Sequence, residues 1–449
     1  IDPISLSRRA KLEIPPFPDD PGPPDGLTLD AAIELLIQQN LDLMALRFEI
    51  PKAQADILTA SLRNNPIIYG DTQYIPYGHY SFARPGGGGG QPQYDVNVTF
   101  PIDISRKRRA RIEVAERAKK VSEAQLQDAV RDLINELYTA YVNVLAVRDT
   151  LRYSEAFLAG MTRLLEQARV EQRQKRARAE QEQDPDQKQR AEEEARAADE
   201  AVDSLDDQVQ QARLQVRQAG RNLARTTRQL ALLLNIPAER AESLRLRGRL
   251  RELQPLPAPS EELVRAALEN RPDLAAYRLA VGRAQAEVRL AKANRYSDIY
   301  VIYQPYTLQG GRAYGLKGTY SYALGVNAAL PLFNRNQGNI ARAEWNVRQT
   351  RVELASLERR VVHEVREEIR DFQLSQADIL ELETKVLPAS RLARDDAYEQ
   401  YRKDATKVNE YIDKQDSYNQ IIQQYRNALI EHRQSALQLN TAIGVRVLP

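Results

Sequence analysis

Apolar positions along this chain recur in two rhythms: every three or four residues over long stretches, and every second residue over four short ones. The helical rhythm starts at Leu27. The segment LTLDAAIELLIQQN offers Thr28 or Asp30 as a cap and puts Ile33, Leu36 and Ile37 on one face. It continues past a disruptive Pro51 to about Arg63. A strict alternation follows in QYDVNVTF, where Tyr94, Val96, Val98 and Phe100 oppose Gln93, Asp95, Asn97 and Thr99. The pattern predicts a strand over about 93–104 with a partner over about 67–75, joined by a Gly/Pro-rich loop containing five consecutive glycines. From Ser105 the spacing is helical for about 70 residues, a rod on the order of 100 Å. A charged stretch, 172–200, surrounds Asp184-Pro185-Asp186, where proline must interrupt or turn the helix. It predicts either an extended hairpin tip or a side elaboration. A second long helix returns to Leu234 and Asn235-Ile236-Pro237 ends it.

The plan then recurs. SEELVRAALENRPDLAAYR answers LDAAIELLIQQNLDLMALR, YQPY at 303–306 answers YIPY at 74–77, and LPLFN at 330–334 answers FPIDI at 100–104. All three lie at an offset of about 230 residues and in the same order, which marks an internal duplication. The expected organisation is an extended Pro-rich arm (1–26), a first repeat (27–234) with its helical hairpin over 105–234, a linker (235–258) and a second repeat (259–449). The second repeat has strands at about 297–305 and 319–332 and a hairpin over 335–443. In its second strand Tyr320, Tyr322, Leu324, Val326, Ala328 and Leu330 face one way. Its long helices carry a narrow apolar seam, through Leu354, Leu357, Val361, Val365, Ile369 and Phe372 outbound and Tyr418, Ile422, Tyr425 and Leu429 inbound. That is coiled-coil packing, which needs partner helices along its length.

Composition narrows the class. A charged fraction of 28% beside 42% hydrophobic suits long helices with a solvated face, and no run approaches the roughly 20 apolar residues of a membrane helix. Membrane residence therefore requires strands. Four strands of about nine residues, each with one polar and one apolar or aromatic face, match a membrane barrel. Open sheet edges are not tolerated in lipid, so such a chain must share its barrel with other copies. The competing reading is a small soluble sheet capping a coiled-coil scaffold. Tyrosines concentrated at the strands and their ends favour the membrane, since tyrosine settles at its interfaces. A net charge of +2 does not argue for a nucleic-acid or acidic partner, and no nucleic-acid partner is expected. There are no cysteines, and His79, His363 and His432 are too scattered for a metal site. No catalytic motif is present and no cofactor is expected. The chain lacks a secretory leader pattern, and a start at Ile1 fits a mature or trimmed form.

The duplicated unit, with Arg271-Pro272-Asp273-Leu274 and PLFNRNQGNIARAEWNV at 331–347, resembles the TolC family of outer-membrane efflux proteins over about 27–447. The junction motif of Pro331, Leu332, Phe333, Arg335, Gln337 and Gly338 is similar to that of the heavy-metal, CzcC-like branch. The first-copy counterpart, PIDISRKRRARIEVA, has Ile104-Ser105 or Ser105-Arg106 where that branch has glycines. The resemblance implies a homotrimer with a 12-stranded barrel in outer-membrane lipid and a helical periplasmic tunnel. It implies a periplasmic adaptor (membrane fusion) protein and an inner-membrane RND transporter as partners. The cargo it suggests is metal cations, with drugs, organic compounds or type I secretion as alternatives. In YRKDATKVNEYIDK the resemblance places the periplasmic tip: Glu410 and Asp413 as the acidic pair that narrows the tunnel, and Tyr401, Asp404, Thr406 and Lys407 at the adaptor-docking turn. Asp404 stands where glycine is usual and Thr406 where an arginine often pairs across the gate, so Lys407 or Arg402 is the alternative latch. The bland alternative for the acidic pair is a solvated helix face. The basic run Arg106, Lys107, Arg108, Arg109 and Arg111 falls directly after a strand, at headgroup depth or facing the lumen.

Overall fold

The computed structural model describes residues 21–73, 93–309 and 319–448, so YIPY, the glycine run, His79 and most of the Pro-rich arm lie outside the described residues. The chain divides into two compact units, one of residues 1–45, 128–271 and 360–449 and one of residues 46–127 and 272–359.

The second unit holds a single antiparallel sheet in the order β1-β2-β3-β4, with β1 Ile67–Gln73, β2 Gln93–Ile102, β3 Ile299–Gln309 and β4 Thr319–Ala328. The two copies of the repeat thus meet along β2 and β3, where Phe100 pairs with Val301 and Ile102 with Ile299. Directly paired residues share a face. Register therefore collects Ile68, Val96, Val98, Phe100, Ile102, Val301, Tyr303, Leu324 and Val326 on one side. Asp71, Asp95, Asn97, Thr99, Gln304, Thr307, Ser321 and Asn327 occupy the other. The apolar side stands open to its surroundings, with Ile68, Tyr322, Leu324 and Val326 all more than 70% exposed. A register shift between Gln304 and Thr307 absorbs Pro305, which cannot donate to a ladder.

Several boundaries differ from the sequence expectation. β2 stops at Ile102 because Asp103 leaves the sheet to cap a helix, accepting from the backbone N–H groups of Ser105 (3.1 Å), Lys107 (3.0 Å) and Arg108 (2.8 Å). Burial pulls the Asp103 carboxyl upward, but these N–H groups and the Ser105 hydroxyl outweigh it and hold its pKa below the usual value. β4 stops at Ala328 rather than near residue 332, since Pro331 has no N–H and Leu332 bonds locally to the Leu330 carbonyl. The helical pattern expected over 27–63, disrupted at Pro51, forms three helices: α1 Leu29–Gln39, α2 Leu41–Arg47 and α3 Glu49–Ser61. Asn40 makes the first break, accepting from the Leu43 N–H at 2.9 Å and donating to the Leu233 carbonyl at 3.0 Å. Pro51 sits in the first turn of α3, where its missing N–H costs nothing.

Two long hairpins follow the strands. α4 (Lys107–Gln181) and α5 (Pro185–Leu233) form the first, turning at Asp184, which caps α5 through the Asp186 N–H at 3.1 Å. The charged stretch is therefore the hairpin's own tip and not a side elaboration. Buried Ala179, Ala191 and Ala195 let its two helices approach closely there. α5 ends at Leu233, Asn235 turns the chain away with a φ of 53°, and α6 (Ala238–Ala241) begins the linker. After α7 (Ser260–Asn270) and α8 (Pro272–Ala293), the second hairpin is α9 (Gln337–Glu381), α10 (Leu387–Lys403) and α11 (Val408–Ile443). A π-helical turn, Leu382–Val386, separates α9 from α10 just ahead of Pro388, a break the periodicity alone did not predict. Val361, Val365, Ile369 and Phe372 on α9 and Tyr418, Ile422, Tyr425 and Leu429 on α11 are all buried. His432 is buried against Phe372 (centroids 4.8 Å) with Nδ1 3.0 Å from the Ser375 hydroxyl. Burial, with Arg433 beside it, lowers its pKa to about 4, so it is a neutral packing residue.

Arg271 of the RPDL segment is buried, pairs with Glu364 at 2.8 Å and donates to the Ala442 carbonyl at 3.0 Å. It thereby supplies positive charge at the C-terminal end of α11. Gly444, at φ 82°, turns the chain so closely over the Arg271 backbone that an added Cβ would lie 3.1 Å from its Cα. The motif is thus a helix-end clamp.

On α9, Glu368 has a buried Oε2 with no hydrogen-bond partner. Burial, and the charges of Asp371, Glu364 and Glu367, push its pKa from 4.5 to about 7. The folded chain then holds a proton that the unfolded chain has lost between pH 4.5 and 7, so this group's contribution to stability falls as pH rises through that window. Glu368→Gln is expected to raise the unfolding temperature at pH 8 and flatten its pH dependence from 4.5 to 7. Identical pH profiles for the two proteins would remove Glu368 as the cause.

Candidate functional site

The tip of the second hairpin is built on a tyrosine cluster. Tyr411 packs against Tyr398 (centroids 5.5 Å) and stacks on Tyr401 (5.9 Å), with Val408 buried beside them. The first hairpin supplies the rest of this core through Leu164, Leu165, Leu205 and Val209. Burial raises the pKa of Tyr401 and Tyr411 above the ordinary phenol value, and the Tyr411 hydroxyl is buried without a hydrogen-bond partner. Tyr401, expected at the docking turn, is 8% exposed and packs in the core beneath that turn.

Above the cluster the chain reverses in one 3₁₀ turn, Ala405–Lys407. Asp404 has φ −141° and ψ 113°, an extended conformation open to any residue, so glycine is not required here. Its carboxylate accepts the Thr406 N–H at 3.0 Å, and its carbonyl accepts the Lys407 N–H at 3.1 Å. Asp404, Thr406 and Lys407 are all exposed.

Glu410 and Asp413 are exposed on the first two turns of α11. Lys407 reaches Glu410 at 3.6 Å and Arg402 reaches Glu399 at 3.5 Å, so both candidate latch cations have carboxylate neighbours within their own hairpin. Asp413 has no side-chain partner among the described residues. One turn further on, Asp416 extends the column at the same spacing. Burial raises its pKa; a hydrogen bond from Gln208 of the first hairpin opposes this, and the Asp413 charge adds to it. Sequence reasoning missed Asp416, although the Asp413-x-x-Asp416 spacing was there to extend Glu410-x-x-Asp413. Asn419 accepts from the Tyr153 hydroxyl at 2.7 Å, and Ser204 lies 3.3 Å from Asn409, so polar links join the hairpins along this face. The column is an acidic strip on α11, tied to the first hairpin by these hydrogen bonds.

At the strand-to-helix junction of the second copy, Leu332 and Phe333 are exposed, the latter by 92%. Asn336 adopts φ 59° and anchors to the Ala291 carbonyl at 2.8 Å, while Gln337 accepts the Arg335 N–H at 2.8 Å. A Cβ on Gly338 would meet nothing within 4 Å. In the first copy, the left-handed position belongs to Arg106 at φ 63°, which explains why glycine suits this point of the turn. No helix is long and apolar enough to cross a membrane, and no group of three His, Cys, Asp or Glu able to hold a metal occurs among the described residues.

The described residues thus form a duplicated strand-pair and helical-hairpin unit with one mainly apolar sheet face. The outer membrane efflux protein family matches residues 32–194 and 263–445, and the chain belongs to that family. It is a component of outer-membrane efflux channels of tripartite pumps and not an enzyme. It is 25% identical to the cobalt-zinc-cadmium resistance protein CzcC of Cupriavidus metallidurans over 98% of this chain and 95% of that one. Among solved structures it is similar to VceC of Vibrio cholerae (TM-score 0.70, 18% identity, 93% and 96% of the two chains). It is similar also to the CusC channel (TM-score 0.67, 16% identity, 93% and 92%).

Proposed function

We propose that three copies close a 12-stranded barrel in the outer membrane, and that their hairpins continue it as a periplasmic tunnel. An inner-membrane RND transporter and a periplasmic adaptor deliver heavy-metal cations into it. The observation that carries this reading is the four-stranded sheet: one face is mainly apolar, and β1 and β4 are edges with no further strand beside them among the described residues. Such edges are stable in lipid only when another copy pairs with them. The similarity to a protein named for cobalt, zinc and cadmium resistance supports the choice of cargo. The acidic column supports a cation-favouring constriction, since threefold symmetry turns Glu410 and Asp413 each into a ring of like charges. The test is subunit counting in detergent together with conductance in planar bilayers. Trimers that conduct are expected; a water-soluble monomer or dimer without conductance overturns the reading.

A further inference from the structure

A pocket of ≈ 670 Å³ opens where β2 becomes α4, and its charge is one-sided. Arg63, Arg106, Lys107, Arg108, Arg109 and Arg111 line it, against two carboxylates, Asp103 and Asp298. Both carboxylates are already engaged. Asp298 pairs with Lys107 at 2.8 Å and accepts from Asn64 at 3.2 Å, while Asp103 is spent on the backbone N–H groups that start α4. Arg108 is also engaged, its Nε donating to the Ser61 carbonyl. Arg63, Arg106, Arg109 and Arg111 are left with no carboxylate partner among the described residues, and the Nε of Arg111 is buried with no acceptor.

The turn itself does not demand this charge. The equivalent turn of the second copy is made by Asn334, Arg335 and Asn336, with one cation. In the first copy an arginine even occupies the left-handed position, where a side chain costs on the order of 1 kcal/mol relative to glycine. Beside the cations the pocket wall carries Pro101, Ile102 and Ile112, with Asn64 and Asn294. Ile102 lines it and belongs to the apolar face of the sheet, next to Ile299 across the ladder and two residues from Phe100. A cationic pocket continuous with a lipid-compatible surface matches a molecule with a phosphate at one end and hydrocarbon at the other.

We infer that this pocket binds the phosphate of an anionic glycerophospholipid of the outer membrane's inner leaflet, its acyl chains lying along the Ile102 and Phe100 side of the sheet. The inference rests on the proposed insertion of the sheet in the membrane. It gives each protomer one lipid site, set at the helix-side rim of the barrel, and makes the first copy the anchoring one. A free phosphate ion shares the headgroup chemistry but would use the cations alone.

The test is native mass spectrometry of the purified full-length trimer, exchanged in turn with phosphatidylglycerol, phosphatidylcholine and inorganic phosphate, with conductance recorded on the same preparation. Wild-type protein is expected to retain phosphatidylglycerol preferentially, up to one per protomer, and Arg109→Gln with Arg111→Gln to weaken retention on the order of 30-fold, as two headgroup contacts are lost. Arg335→Gln, at the equivalent turn of the other copy, is expected to change nothing. Conducting wild-type trimers that show no preference for phosphatidylglycerol over phosphatidylcholine overturn the lipid site while leaving the channel reading intact. So does retention of inorganic phosphate that phosphatidylglycerol cannot displace. If the double variant does not assemble, the wild-type comparison of the two lipids decides alone. Absence of both conductance and lipid retention overturns the membrane reading and this inference together.

Discussion

Neutralising the acidic pair, as Glu410→Gln with Asp413→Asn, is expected to lower the cation-over-anion preference of the assembled channel on the order of tenfold and to raise its conductance. In the proposed trimer six carboxylates are lost at once, and with them the mutual repulsion and the cation field that such rings create. The two positions are not equivalent. Lys407 stands 3.6 Å from Glu410 and offsets part of its charge, whereas Asp413 has no side-chain partner among the described residues. Asp413→Asn alone should therefore account for most of the change. Lys407→Ala should act in the opposite direction, exposing Glu410 and strengthening cation preference. Reversal potentials under a salt gradient report all three variants. Unchanged potentials in the double variant would reduce the pair to a solvated helix face.

The second large effect concerns the support beneath that pair. Tyr411 is 1% exposed and touches both Tyr398 and Tyr401, so Tyr411→Ala is expected to cost about 3–5 kcal/mol. That is a sizeable part of the roughly 5–15 kcal/mol that holds a typical domain together. The tip is expected to open to proteases at Lys403 and Lys407 and the unfolding temperature to fall. Tyr411→Phe separates packing from polarity. Its hydroxyl is buried without a partner, so removing it should be neutral or mildly stabilising. A Phe variant as unstable as the Ala variant would mean that the hydroxyl has a partner in the assembled protein.

Much of the architecture was legible because it is written in local periodicity. The alternation of Tyr94, Val96, Val98 and Phe100 specifies a strand with two unlike faces, and the seam from Leu357 to Phe372 specifies a helix needing a partner. Punctuation was harder to read. Asn40 and the π turn at Leu382–Val386 break helices with no proline or glycine at the break itself, through side-chain and packing choices that periodicity does not encode. The acidic pair was named from its motif, but its unequal pairing was not. Lys407 contacts Glu410 only because a 3₁₀ turn places the lysine one turn before it, and Asp416 joins the column through Gln208 of the other hairpin.

The sequence by itself determined the duplication, the two-faced strands and the rod-like helices, because each follows from spacing and residue type over a few turns of chain. Only the tertiary structure decided that β2 and β3 join the two copies into one sheet and that Arg271 clamps the end of α11. It also decided that Tyr401 is buried and that four arginines around Asp103 have no carboxylate partner among the described residues. These depend on contacts between residues far apart in the chain, and charge balance in particular is a property of neighbours in space.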